Sequence, residues 1–249
     1  MIEAHPMFDT PEDDVVLWRY MDLSQLVSLL SRKTLHFTRL DRLNDPFEGS
    51  WPRATVMARM EVFLKFVGHD HPKKRGDKLF EELSRNMRRR ICVSCWHSNQ
   101  TESAAMWSLY LKSDEGIAIR TTVDRIRRAF AECPESVYLG KIQYVDFDNA
   151  IVNASNMLTP ATLKRVSFAH EQEVRLVHHA GQGTHPLDSD EPPFAHGVDL
   201  KVSLDELIEA VVVAPATDEW LFDVINDVCL RYGMSLDVKR SSLDEEPAY

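Results

Sequence analysis

Apolar positions along this chain switch between a period of two and a period near 3.6, which predicts strands and helices in uneven alternation. Residues 15–20 read as a short buried strand. Asp22 is placed to cap a helix whose apolar stripe is Leu23, Leu26, Val27 and Leu30. A strand resumes at Leu35. Asn44, Asp45, Pro46 and Phe47 then make a turn, because Asn and Asp bond their own backbone while proline fixes φ. Val56, Met57, Met60, Phe63, Leu64 and Val67 repeat at helical spacing. Leu79, Phe80, Leu83 and Met87 repeat again in a helix from Asp77, with a polar, basic connector between the two.

Strands follow at 91–96, 116–121 and 137–145, with helices at 102–111 and at 123–131, the second starting near Thr122. A helix is expected from about Thr159 to Phe168, and polar and apolar residues alternate in strand fashion over 171–178. A loop at 181–193 leads to strands at 198–202, 210–214 and 234–238, the last preceded by a helix over 218–231. No internal repeat and no Pro/Ser-rich linker divides the chain. The pattern therefore predicts a single α+β domain over residues 1–240, with mixed or antiparallel sheets and flanking helices. A basic helical insert occupies about 53–90, and 241–249 reads as a flexible acidic tail.

The 249 residues are 44% hydrophobic, ample for a real core. Lys and Arg number 29 against 39 Asp and Glu, a formal charge of −10, which argues against bulk duplex-DNA binding or coating of an anionic membrane. Any nucleic-acid contact has to be local. No apolar run approaches the roughly 18 to 20 residues of a membrane helix, and His5, Pro6 and Asp9 do not read as a signal peptide. A cytoplasmic protein with no membrane partner is expected. Cys92, Cys95, Cys133 and Cys229 are too few for a disulfide framework and are expected as thiols. The odd spacing of Cys92 and Cys95 points them to opposite faces of their strand, and His69 and His71 lie far off in sequence, so no metal site is expected. Walker, GxGxxG and GxSxG motifs are absent.

The strand over 171–178 carries the most chemistry. Alternation places Glu171, Glu173 and Arg175 on one face, with Gln172, Val174 and Leu176 on the other. Two neighbouring carboxylates with an arginine that favours ionisation suit a cationic transition state, or else form a surface ion network. Ser103, Met106, Trp107 and Tyr110 share a helical stripe that either stacks on a planar ligand or packs in the core. Arg19, inside an apolar strand, should meet a carboxylate or a ligand phosphate. His36, on the next strand, is a satisfied structural residue or a catalyst. Asn44, Asp45 and Glu48 gather polar groups at the turn. Arg88, Arg89 and Arg90, with Lys73, Lys74 and Arg75, form a solvated face or hold an acidic partner.

Five short pieces occur in a telling order: Leu17, Trp18, Arg19, Tyr20; Leu35, His36, Phe37, Thr38; Asn44, Asp45, Pro46, Phe47, Glu48; Met106, Trp107, Ser108, Leu109, Tyr110 with Gly116; and Lys164 leading to Glu171, Gln172, Glu173, Val174, Arg175. Their order resembles a bacterial domain-of-unknown-function family, numbered 2971, whose members occur among phage-defence and toxin-like genes. Val174 stands where the family often has an aromatic, and Cys95, Trp96, His97 where it usually reads Cys-Phe-Ser.

The opening strand, helix and strand, with an acidic-x-Glu on a late strand, also resemble ADP-ribosyltransferase-type domains. That resemblance implies NAD as substrate, with Glu173, Glu171 and Arg175 catalytic and Arg19, Tyr20, His36, Thr38, Trp107 and Tyr110 around the nucleotide. The activity it implies is ADP-ribosyl transfer or NAD hydrolysis by a defence or toxin effector, the acceptor being a protein or a nucleic acid. Two other classes stand beside it. One is a non-catalytic protein-interaction module. The other is metal-dependent phosphodiester cleavage by Asp45, Glu48, Glu171 and Glu173.

Overall fold

The computed structural model describes residues 1–67, 73–110, 115–180, 192–234 and 237–248. The connector with His69 and His71, most of the loop at 181–193 and the side chains of 63–79 lie outside the described residues. In chain order the elements are β1 (Ile2–Glu3), β2 (Val16–Asp22), α1 (Leu23–Arg32), β3 (Thr34–Arg39), α2 (Arg53–Val67), α3 (Lys73–Arg88), β4 (Ile91–Ser98) and α4 (Ala104–Tyr110). Then come β5 (Gly116–Thr122), α5 (Val123–Ala129), β6 (Val137–Lys141), β7 (Gln143–Val145), β8 (Leu163–Arg165), β9 (Glu173–His179), β10 (Gly197–Lys201), α6 (Leu204–Leu207), β11 (Ala210–Val213), α7 (Glu219–Arg231) and β12 (Asp237–Arg240). This is an α+β architecture built on one mixed sheet with helices flanking it.

Local chemistry explains many of the boundaries. Asp22 accepts from the Gln25 amide while Gln25 returns a bond to the Asp22 amide, a capping box that starts α1 where the sequence placed it. Thr122 caps α5 in the same way, accepting from the Arg125 amide. Leu26, Leu29 and Leu30 bury the inner face of α1. The sheet runs β1-β6-β9-β4-β2-β5-β11-β12, and β3 joins β4 on one side and β10 on the other. A large core of Leu17, Trp96, Ile119, Val174, Leu176 and their neighbours lies on one face of the sheet and includes residues of α1, α5, α6 and α7. A smaller cluster of Trp18, Tyr20, Met106 and Trp107 packs α4 against the opposite face, and Phe8, Leu40, Val93 and Val177 form a third.

Three expectations are corrected. The helix foreseen over 159–168 is a 3₁₀ turn (Thr159–Thr162), then β8, then a second 3₁₀ turn (Val166–Glu171). Pro160 donates no amide, and the Ala161 carbonyl that a helix would use accepts from Arg175 instead. The strand foreseen over 137–145 breaks at Ile142, whose amide donates to the Glu173 carbonyl, and β7 leaves the main sheet to pair with β8. Of the strand foreseen at 234–238, residues 235 and 236 lie outside the described residues, and Asp237–Arg240 is strand. The start of the foreseen flexible tail is docked, because Ser241 and Ser242 donate to the Glu102 carboxylate and Asp244 accepts from the Ala216 amide.

Two glycines set a stability test. Gly197 has φ +156° at the start of β10, and a Cβ there would sit 2.0 Å from the Phe37 carbonyl oxygen. Gly233 has φ +76° after α7 with nothing within 4 Å. Gly197→Ala is expected to cost about 3 kcal/mol or more and Gly233→Ala ~1 kcal/mol, checked by urea unfolding.

Candidate functional site

The sheet forks at β4. One edge of β4 pairs with β9 along its length, from Ile91 opposite His179 to His97 opposite Glu173. Its other edge is shared: Leu17 and Trp18 of β2 take Ser98 and His97, while Thr38 and Arg39 of β3 take Val93 and Cys92. Residues 94–96 lie in the gap where β2 and β3 diverge, the two strands being joined by α1. Arg19 reaches from β2 into that gap. Its Nη1 donates to Ser94 Oγ, and the guanidinium lies 5.8 Å from the centroid of the Trp96 ring. Burial lowers its pKa, an effect that Cys95 and Tyr110 partly offset. Among the described residues no carboxylate forms an ion pair with it.

Beside the fork lies a buried charge centre built from three distant segments. Glu173 and Arg175, two apart on β9, share a face as alternation requires. Arg175 Nε and Nη2 donate to the two Glu173 oxygens at 2.7 and 2.9 Å, and Nη1 donates to Ala161 O at 2.9 Å. Glu48, four residues past the Asn44 turn, accepts from Arg175 Nη1 and Nη2 at 3.1 and 3.3 Å. Lys164 of β8 completes the centre, 2.9 Å from Glu173, 2.5 Å from Glu171 and 3.3 Å from Glu48. Arg165, pointing the other way from β8, holds Asp45 with two bonds of 3.0 and 2.8 Å. Glu171 is not on the strand. It ends the second 3₁₀ turn, and Gln172 turns the chain with φ +40°, so the three-residue alternation drawn from the sequence holds only for Glu173 and Arg175. Lys164, not strand geometry, brings Glu171 to the centre.

Three carboxylates against two cations leave the centre one negative charge in excess, with Glu173 4% and Arg175 1% exposed. Burial alone would raise the Glu173 pKa. Arg175 and Lys164, with hydrogen bonds from Arg175 and Cys95, outweigh it and bring the carboxyl down to about 2. Burial would lower the Lys164 pKa, but Glu173 and Glu48 raise it well above its ordinary value. The Tyr144 hydroxyl, which accepts from the Glu173 amide at 2.8 Å, is pushed up to about 12, by burial first. Burial, then the negative charge of Glu171, raises the Tyr110 pKa as well, which places that phenol within the field of the centre.

The remaining candidates divide. Tyr20 and Trp107 are core: their rings meet edge to face at 4.8 Å, Tyr20 Oη accepts from the Ser103 amide, and Trp107 Nε1 donates to Glu102. Packing consumes the surfaces that stacking on a ligand would need. His36 lies on the exposed edge made with β10, its Nδ1 2.6 Å from Asp199, so it belongs to a surface pair. Thr38 stands opposite Val93 in the β3–β4 pair. Asp45, Glu48, Glu171 and Glu173 each face a lysine or arginine, and among the described residues no group of three metal-ligating side chains is found. Cys92 packs in the large core and Cys95 against the third cluster, on opposite faces.

Sequence reasoning missed Lys164 as a partner of Glu173 and Glu48 as a partner of Arg175, and it gave His97 no part. His97 pairs with Glu173 across β4 and β9, and its Nδ1 lies 2.6 Å from Glu171 O. A carbonyl only accepts, so Nδ1 carries a proton, and Nε2 is buried with no hydrogen-bond partner among the described residues.

No family model matches the chain, so the resemblance to the 2971 family rests on the residue pattern alone. No curated protein matches it either. A solved structure of DarT from Thermus sp. 2.9, in complex with carba-NAD+, aligns over 94% of this chain and 98% of that one, at 8% identity and a TM-score of 0.41.

Arg175→Met leaves Glu48 and Glu173 buried without their main counter-charge and is expected to destabilise by about 3–5 kcal/mol in chemical unfolding. Glu171→Gln, at the wetter margin, is expected to cost about 1 kcal/mol or less. The folded protein keeps Glu173 ionised down to about pH 2, whereas an ordinary glutamate of pKa 4.5 takes up its proton earlier. The stabilisation is therefore complete above about pH 5 and is lost as pH falls towards 2, on the order of 3 kcal/mol in unfolding free energy measured across that range.

Proposed function

We propose that the chain is an NAD-consuming effector that cleaves the nicotinamide–ribose bond, by ADP-ribosyl transfer or hydrolysis, at the fork of its sheet. The observation that carries the reading is the half-buried Arg19 guanidinium, held in the fork with no ion-pair partner among the described residues, with Cys95 of β4 acting both on it and, by a hydrogen bond, on the buried and ionised Glu173. A guanidinium without a counter-charge suits the pyrophosphate of a dinucleotide. A fixed negative centre suits the positive charge that develops on ribose as nicotinamide leaves, as in glycoside cleavage.

In this reading Arg19 contacts phosphate, and Glu173 supplies the field and takes the ribose hydroxyl. Glu171, the most exposed of the three carboxylates, orients the attacking group, Tyr110 borders the nicotinamide, and Arg175 and Lys164 keep Glu173 ionised. The resemblance of the opening strand, helix and strand to ADP-ribosyltransferase-type domains supports it as well. The acceptor would be water, a protein or a nucleic acid.

A specific observation favours a second, non-catalytic reading: both oxygens of Glu173 already accept from Arg175, and one also from Lys164, which is how a structural ion network is satisfied. Free nicotinamide measured by chromatography after incubation with NAD separates the two. Release is expected, with the rate falling ~100-fold or more in Glu173→Gln and ~10-fold or more in Glu171→Gln, a variant expected to stay folded. Absence of nicotinamide from the folded wild-type protein, or a rate untouched in Glu171→Gln and Glu173→Gln, would establish the second reading.

A further inference from the structure

Away from the fork, a concave cavity of about 360 Å³ opens between the end of β3 and the segment leading into β10, lined by Arg39, Asp41, Arg42, Arg89, Ala195 and His196 among others. Its walls are pinned. Arg39 is 3% exposed, and its Nε and Nη2 donate to the two oxygens of Asp41 at 2.9 and 2.6 Å. Its Nη1 donates to the carbonyls of Phe194 and Ala195 at 2.6 and 3.0 Å, and its amide donates to His196 O. One buried guanidinium thus ties the floor of the cavity to its opposite wall and pairs with Asp41, the one carboxylate among the described lining residues.

What remains is positive. Arg42 and Arg89 both line the cavity, Arg88 lies close enough to act on Asp41, and among the described residues the Arg42 and His196 side chains make no hydrogen bond or ion pair. Burial would raise the Asp41 pKa, yet Arg39, by hydrogen bond and charge, with Arg42 and Arg88, holds it below its ordinary value. This occurs on a chain whose formal charge is −10. A surface that is acidic overall repels long polyanions, whereas an open concavity with one guanidinium and one imidazole free of hydrogen bonds among the described residues, and a second arginine beside them, suits a single compact anion.

We propose that this cavity binds the terminal phosphate of a small phosphomonoester, with Arg42 and His196 donating to its oxygens and the body of the ligand lying in the remaining volume. The assignment is independent of the chemistry at the fork. The test is calorimetric titration of the full chain at low ionic strength with ribose 5-phosphate, with ribose, and with a short single-stranded DNA lacking terminal phosphates.

Saturable binding of ribose 5-phosphate is expected, with ribose and the DNA inert. Affinity should fall ~10-fold or more in Arg42→Glu and several-fold in His196→Ala, with both melting temperatures unchanged because both residues are exposed. The proposal is overturned by no binding up to millimolar ribose 5-phosphate, by equal affinity in Arg42→Glu, or by binding of the DNA in preference.

Discussion

A single buried pairing, Glu173 with Arg175, sets the constraint around which the rest of the site is arranged. Two charges taken out of water in the middle of a sheet are tolerable only if every donor and acceptor is met. That demand recruits Glu48 from the turn after β3, Ala161 O from a 3₁₀ turn and Lys164 from a strand outside the main sheet. Segments more than a hundred residues apart are thereby locked to one point. The irregular backbone over 159–171 follows from it, because a regular helix would withdraw the Ala161 carbonyl and could not send Lys164 and Arg165 in opposite directions to Glu173 and Asp45.

The fork is the second consequence of strand chemistry. An edge offers one row of hydrogen-bonding groups, and β4 offers its outer edge to two strands at opposite ends. Between them the sheet opens, and the sequence places an arginine at that position in an otherwise apolar strand. Glu173 of the negative centre, on β9, and Arg19, on β2, therefore lie on the two strands that flank β4.

The pinned cavity at the far end of β3 uses the same device with the opposite sign. At both places a buried arginine spends its rigid fork of donors on the chain itself, Arg175 on two carboxylates and a carbonyl, Arg39 on one carboxylate and two carbonyls. What is left over differs: a surplus carboxylate at the first, surplus guanidinium at the second.

The sequence by itself determined the α+β class, the capped starts of α1 and α5, the opposite facing of Cys92 and Cys95, and the shared face of Glu173 and Arg175. Each follows from helical or strand periodicity acting over a few residues. It also singled out Arg19 as a charge in need of a partner, since an arginine in an apolar strand is conspicuous without any structure. Only the tertiary structure decided that Trp107 and Tyr20 are packing and that His36 belongs to a surface pair. Tertiary contacts also bring Glu171 to the centre through Lys164, Glu48 to it through Arg175, and bury His97 Nε2 without a hydrogen-bond partner among the described residues. Those outcomes depend on contacts between residues far apart in the chain, and periodicity carries no information about which distant donor will satisfy a buried acceptor.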